Sequence, residues 1–166
     1  MLFYSFNTED QLLGMRMRDN ERFELVLDWC KSNRGKALTS PRRKFSIKKT
    51  PQDFSILEVD DSKRQLRIQF LESGTILPLE YWRIKSAIEF LAGKSDYVWI
   101  GASISEPEGI SLENHLKTIS KKMYGRKADT KTAPHIGDLL VAAGLADYDW
   151  TKSREGRKIQ GIRLRR

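Results

Sequence analysis

The chain has 166 residues, 39% hydrophobic and 10% aromatic, enough to build a real core and too apolar for a disordered tail. No apolar run approaches the ~20 residues needed to span a bilayer, the N-terminus lacks the pattern of a secretory signal, and a single cysteine, Cys30, rules out an internal disulfide or a cysteine-based zinc site. The net charge of +8 is unevenly placed, and a soluble cytoplasmic protein that meets a polyanion is the expectation.

The unevenness is informative. Residues 31–49 hold eight basic side chains and no acid, and residues 111–166 hold thirteen against six. The stretches 1–30 and 50–110 are both acidic, with three basic residues against six acids and six against ten. Two concentrated basic blocks in an otherwise acidic chain can steer and hold phosphates, whereas evenly spread charge would serve solubility alone.

In chain order, residues 8–30 read as one or two helices. Thr8-Glu9-Asp10-Gln11 has the form of a capping box, Asp19-Asn20 breaks the run, and Phe23, Val26, Leu27 and Cys30 share one apolar face. Cys30 is expected to act as a small buried hydrophobe. The basic stretch 31–49 contains Gly35, Pro41 and Arg42-Arg43-Lys44. It reads as a loop entering a short strand at Lys44–Ile47, one that orders when a partner neutralises it. Residues 54–79 alternate with period two and read as an antiparallel meander, with turns at Asp60–Lys63 and Glu72–Gly74.

A helix follows Pro78 and stops before Gly93, and Tyr97–Ile100 reads as a buried strand. Pro107 and its neighbours Glu106 and Glu108 mark a solvated loop. Ser111 caps a helix that runs to Tyr124 and stops at Gly125, and a second helix covers 132–143 with Pro134 in its first turn. Ala146–Trp150 and Ile159–Leu164 pair across a basic connection. The fold class is therefore α+β: N-terminal helices and a β-meander over 1–79, then a second region over 80–166.

From residue 80 the order is helix, strand, helix, helix, strand, basic loop, strand. That order resembles the winged-helix module, a helix-turn-helix variant of double-stranded DNA-binding proteins; the first half matches no family. The resemblance implies a recognition helix at 132–143 in the major groove and a wing at Trp150–Ile159 against phosphates or the minor groove. Lys152, Arg154, Arg157 and Lys158 would be the wing cations. Lys121, Lys122, Arg126, Lys127 and Lys131 would flank the groove, Thr132 and His135 would sit at the start of the recognition helix, and its free N–H groups would take a phosphate. That helix offers no Arg, Asn or Gln for bidentate base contacts, and Asp138 would repel phosphates. Affinity should come from phosphates, with Arg42, Arg43 and Lys44 of the first basic block as further contacts and the two arginines the first suspects for base reading. Gly137 marks a close approach, by another backbone or by DNA.

The same residues leave other readings open. Asp53 with Asp61-Ser62-Lys63 superficially resembles the acid and acid-x-Lys pattern of restriction-type Mg²⁺ nucleases, although Asp61 and Lys63 fall in a turn. His115 reads as a hydrogen-bonded residue at the edge of the core; His135 reads equally as a phosphate or base contact and as a plain helix-start residue. No glycine-rich phosphate loop or catalytic triad stands out, and no cofactor is expected. Trp29, Trp82 and Trp99 read as core, with Trp150 set apart because it opens the wing. The leading expectation is a non-catalytic double-stranded DNA-binding protein, a homodimer being possible, with RNA binding, a protein partner or the nuclease as alternatives. No membrane partner is expected.

Overall fold

The computed structural model describes residues 17–45, 51–101, 107, 109–125 and 130–166. The Thr8–Gln11 capping box, the end of the Lys44–Ile47 strand, Glu106, Glu108, Arg126 and Lys127 lie outside the described residues. Within them the chain forms four α-helices, one 3₁₀ turn and two three-stranded antiparallel sheets, an α+β fold.

Helix α1, Asp19–Ser32, begins where the sequence suggested a break. Asp19 and Glu21 fall in its first turn, where carboxylates face the free N–H groups and the positive end of the helix dipole, so the Asp-Asn pair starts a helix here. Its apolar stripe, Phe23, Val26, Leu27 and Cys30, is buried as expected, and burial pushes the Cys30 thiol up to about 12.

After α1, residues 33–45 are held by the protein's own groups. Leu38 bridges to Phe54, and Pro41–Phe45 forms a 3₁₀ turn where an extended entry to a strand was expected. Pro41 presets the backbone, and the Ser40 hydroxyl and carbonyl accept from the N–H groups of Arg42 and Arg43.

The meander follows: β1 (Phe54–Asp60), β2 (Gln65–Phe70) and β3 (Ile76–Glu80), in spatial order β1-β2-β3. Ile56 and Ile68 are cross-strand partners, and both are buried. Pro78 sits inside β3 rather than ahead of a helix, and an edge strand tolerates it because one side of its backbone needs no ladder partner. β3 passes directly into α2, Tyr81–Ala92.

The second sheet takes the spatial order β4-β6-β5, built from β4 (Val98–Trp99), β5 (Ala146–Lys152) and β6 (Lys158–Leu164). Between β4 and β5 lie α3, Leu112–Tyr124, and α4, Ala133–Ala142. Ser111 accepts from the Asn114 N–H at 3.0 Å, and Gly125 closes α3 at φ 66°, the left-handed geometry that favours glycine. A single hydrophobic cluster runs from Phe23 on α1 through Ile56, Ile84 and Leu116 to Leu164, so the 1–79 and 80–166 regions share one core. No helix among the described residues is long and apolar enough to cross a membrane.

Candidate nucleic-acid interface

The β5–β6 hairpin is the basic feature that the fold exposes most fully. Seven cross-strand pairs hold it, ending at Lys152 opposite Lys158. Its turn is closed by the Ser153 N–H donating to the Arg157 carbonyl at 2.8 Å, with Gly156 at φ 79°. Lys152, Arg154, Arg157 and Lys158 are all exposed. Like charges directly opposite on a sheet are destabilising, so the Lys152–Lys158 pair costs the isolated protein stability. Among the described residues no ion pair joins any of these four cations to an acid. Glu155, the single acid of the tip, has its carboxyl held below the usual value by a backbone N–H of the turn, then by the Ser153 hydroxyl and the two arginines.

The first basic block reaches this hairpin. Phe45 meets the Trp150 ring edge-on at 5.8 Å and the Tyr148 ring at 6.2 Å, and the Lys158 ammonium lies 4.5 Å over the same Trp150 ring. Lys44 is exposed beside this stack. Its two arginine neighbours are already engaged. Arg42 forms a two-pronged pair with Asp138, Nε to Oδ1 at 2.9 Å and Nη2 to Oδ2 at 3.1 Å, and Arg43 pairs with Asp53 at 2.6 Å. The Arg42 guanidinium is thus committed to a buried carboxylate of the fold.

Asp138 also departs from expectation. Its side chain is only 3% exposed, and it accepts from the hydroxyls of Ser40 and Tyr148, each at 2.7 Å, besides Arg42. A carboxylate so enclosed and neutralised does not face phosphates. Gly137 serves the same junction: a Cβ there would lie 2.6 Å from the Tyr148 hydroxyl, so the close approach is made by a side chain of the protein itself.

The expected recognition helix, α4, is covered. Ile136, Gly137, Asp138, Leu139 and Leu140 are buried, as is Thr132 ahead of it. The helix start is filled as well. The Ala133 N–H donates to Glu113 Oε2 at 2.8 Å, so a carboxylate from α3 occupies the place expected for a phosphate. Burial raises the Glu113 carboxyl, opposed by that N–H and by Lys117 and Lys131. His135 packs on the Phe70 ring at 4.8 Å, and burial, then the Arg42 guanidinium, lowers its pKa to about 4. It is neutral at physiological pH. Of the flanking cations, Lys121 and Lys122 are exposed in the last turn of α3 and Lys131 is exposed ahead of α4.

The nuclease pattern is taken apart by the fold. Asp53 precedes β1 and Asp61 follows it, which puts them about 25 Å apart along an extended strand. Asp53 is paired with Arg43, while Asp61 accepts from Tyr81 at 2.8 Å and Lys31 at 3.2 Å. Two carboxylates at opposite ends of a strand cannot ligate one ion. No group of three or more metal-ligating side chains is found among the described residues.

Of the three tryptophans read as core, only Trp29 joins the core cluster; Trp82 and Trp99 do not. Trp29 packs against the core, and Trp82 sits among Glu80, Arg83 and Tyr124. Trp99 and Trp150 stand outside the core cluster on the second sheet, Trp99 half-buried on the short strand β4. No family model, curated protein or solved structure matches this chain.

Proposed function

We propose that this protein binds double-stranded DNA without acting on it chemically, through a winged-helix-like region whose wing makes the principal contact. One observation carries the reading: four exposed cations on a short hairpin, two of them directly opposed and none paired with an acid among the described residues. A hairpin that stores repulsion between like charges gains free energy when a polyanion neutralises it, and release of condensed counterions adds to that gain. The β4-β6-β5 order and the helix, strand, helix, helix, hairpin succession support the winged-helix likeness.

The mode of binding differs from the family's usual one. Helix α4 is enclosed by the Pro41–Phe45 turn and by Phe70, so it is not the element that enters the major groove. Contacts run instead along the wing and the exposed Lys44, the chain neighbour of the Phe45 that packs on Trp150. Such an interface grips phosphates and reads sequence weakly.

The test is duplex binding by anisotropy across a salt series, comparing the wild type with Arg154, Arg157 and Lys158 replaced together by Ala. The variant should bind every duplex more weakly and lose about 2.7 from the slope of log affinity on log salt, roughly 0.9 per phosphate contact. An unchanged slope removes the wing from the interface. Duplex RNA as competitor separates the two nucleic acids: preferential displacement by RNA would replace the DNA reading.

A further inference from the structure

Beside the wing lies a groove of about 390 Å³, bounded on one side by Tyr97, Trp99 and Ile110 and on the other by Thr151 and Ile159 of the hairpin. It lies where β4, only two residues long, pairs with β6 and is bridged on its other side only by Trp99 to Ser111, so the hairpin extends past it. Gly161, opposite Trp99, lets the Thr151 and Tyr97 side chains pack close over its backbone: a Cβ there would meet each of them at 3.0 Å. The lining mixes these aromatic and aliphatic side chains with polar ones, Ser153 among them. The groove's charged lining is cationic on balance, with Lys94, Lys152, Arg154 and Arg157 against the single acid Glu155. Trp99 is excluded from the core cluster, and Tyr97 is braced from behind by the Arg163 guanidinium at 4.3 Å.

Aromatic side chains set among a lining that is cationic on balance suit one chemical class: a planar heterocyclic ring carrying a phosphate. A free anion would not use the aromatic walls, and a neutral apolar ligand would not use the cations. A base inside a paired duplex is stacked on its neighbours and cannot enter such a cleft. We propose that this groove takes an unpaired nucleotide, its base against Trp99 and its phosphate at the Arg154–Arg157 rim, so that the protein prefers DNA with an unpaired base beside the wing. This rests on the duplex-binding reading for its biological setting and on the groove for its chemistry.

The experiment measures anisotropy with three probes: a fully paired duplex, the same duplex with one unpaired thymidine, and an oligothymidine strand. The wild type should favour the unpaired thymidine about tenfold over the paired duplex, in keeping with the stacking of one base on an aromatic ring. Trp99→Leu should bring that ratio to about one, and Trp99→Phe should restore part of it. Should Trp99→Leu fail to fold by circular dichroism, Lys94→Glu at the rim tests the same ratio and should lower it. A wild-type ratio near one, or a ratio that survives these substitutions, overturns the inference while leaving duplex binding intact. Oligothymidine binding that depends on Trp99, with no duplex binding, upholds the groove and overturns the duplex reading. Absence of binding to all three overturns both.

Discussion

Replacing Arg42 by Ala should damage the fold far more than it damages nucleic-acid binding. The guanidinium holds both oxygens of Asp138, at 2.9 and 3.1 Å, and the two side chains are 16% and 3% exposed. Without it the carboxylate keeps only the Ser40 and Tyr148 hydroxyls and is left as a buried charge with no counter-ion. Breaking a buried pair in this way costs about 3–5 kcal/mol. At about 2–4 °C per kcal/mol for a chain of this size, Tm should fall by roughly 6–20 °C. The exposed Arg43–Asp53 pair is the internal control, its partners 48% and 42% exposed, and Arg43→Ala should cost under about 1 kcal/mol. Arg42→Met with Asp138→Leu should recover part of the loss. Full recovery is not expected, because the Ser40 and Tyr148 hydroxyls would still lack their acceptor. Urea unfolding followed by tryptophan fluorescence measures all of these. If Arg42→Ala costs no more than Arg43→Ala, Asp138 is not the enclosed carboxylate described above and the reasoning fails.

Gly137→Ala should destabilise by about 1–3 kcal/mol despite the better helix propensity of alanine, because the new methyl meets the Tyr148 hydroxyl that Asp138 holds in place. Adding Tyr148→Phe removes that oxygen and should recover part of the cost, a rescue visible in thermal melts. His135 titrates near pH 4 in the fold and near 6.5 unfolded, so between these values the unfolded chain binds more protons. Its contribution to stability is complete above about pH 6.5 and is lost as the pH falls through 4, on the order of 3 kcal/mol in all. His135→Asn should flatten that part of the pH profile relative to the wild type, as read by urea midpoints at a series of pH values.

Features whose cause is local were legible in the sequence. Ser111 and Gly125 bound α3 because a hydroxyl cap and a left-handed glycine act within a few residues, and the period-two pattern of Leu66, Ile68 and Phe70 puts Leu66 and Ile68 into the core. The β5–β6 hairpin and its four cations were legible for the same reason. The role of Arg42 was not, since its acid lies 96 residues away and no local pattern links them. Asp138 and Gly137 were misleading for one reason: helix α4 looked like an exposed reader until the 3₁₀ turn and Phe45 were placed over it and its neighbouring strand. Trp99 shows the converse limit. It sits in an apolar tetrapeptide that reads as a core strand, yet β4 is an edge of two residues, and edge position is a property of the sheet rather than of the segment.

The central claim is that the wing, with Lys44 beside it, meets nucleic acid while helix α4 does not. Titrating a short DNA duplex into ¹⁵N-labelled protein and following the backbone amide resonances tests it directly. Shifts should concentrate at Arg43–Lys44 and across 150–159, fading as salt is raised, with Ile136–Leu140 undisturbed. Shifts centred on His135–Leu140 with a quiet hairpin would contradict it and return α4 to the groove; no shifts at low salt would deny that the basic surface meets DNA at all.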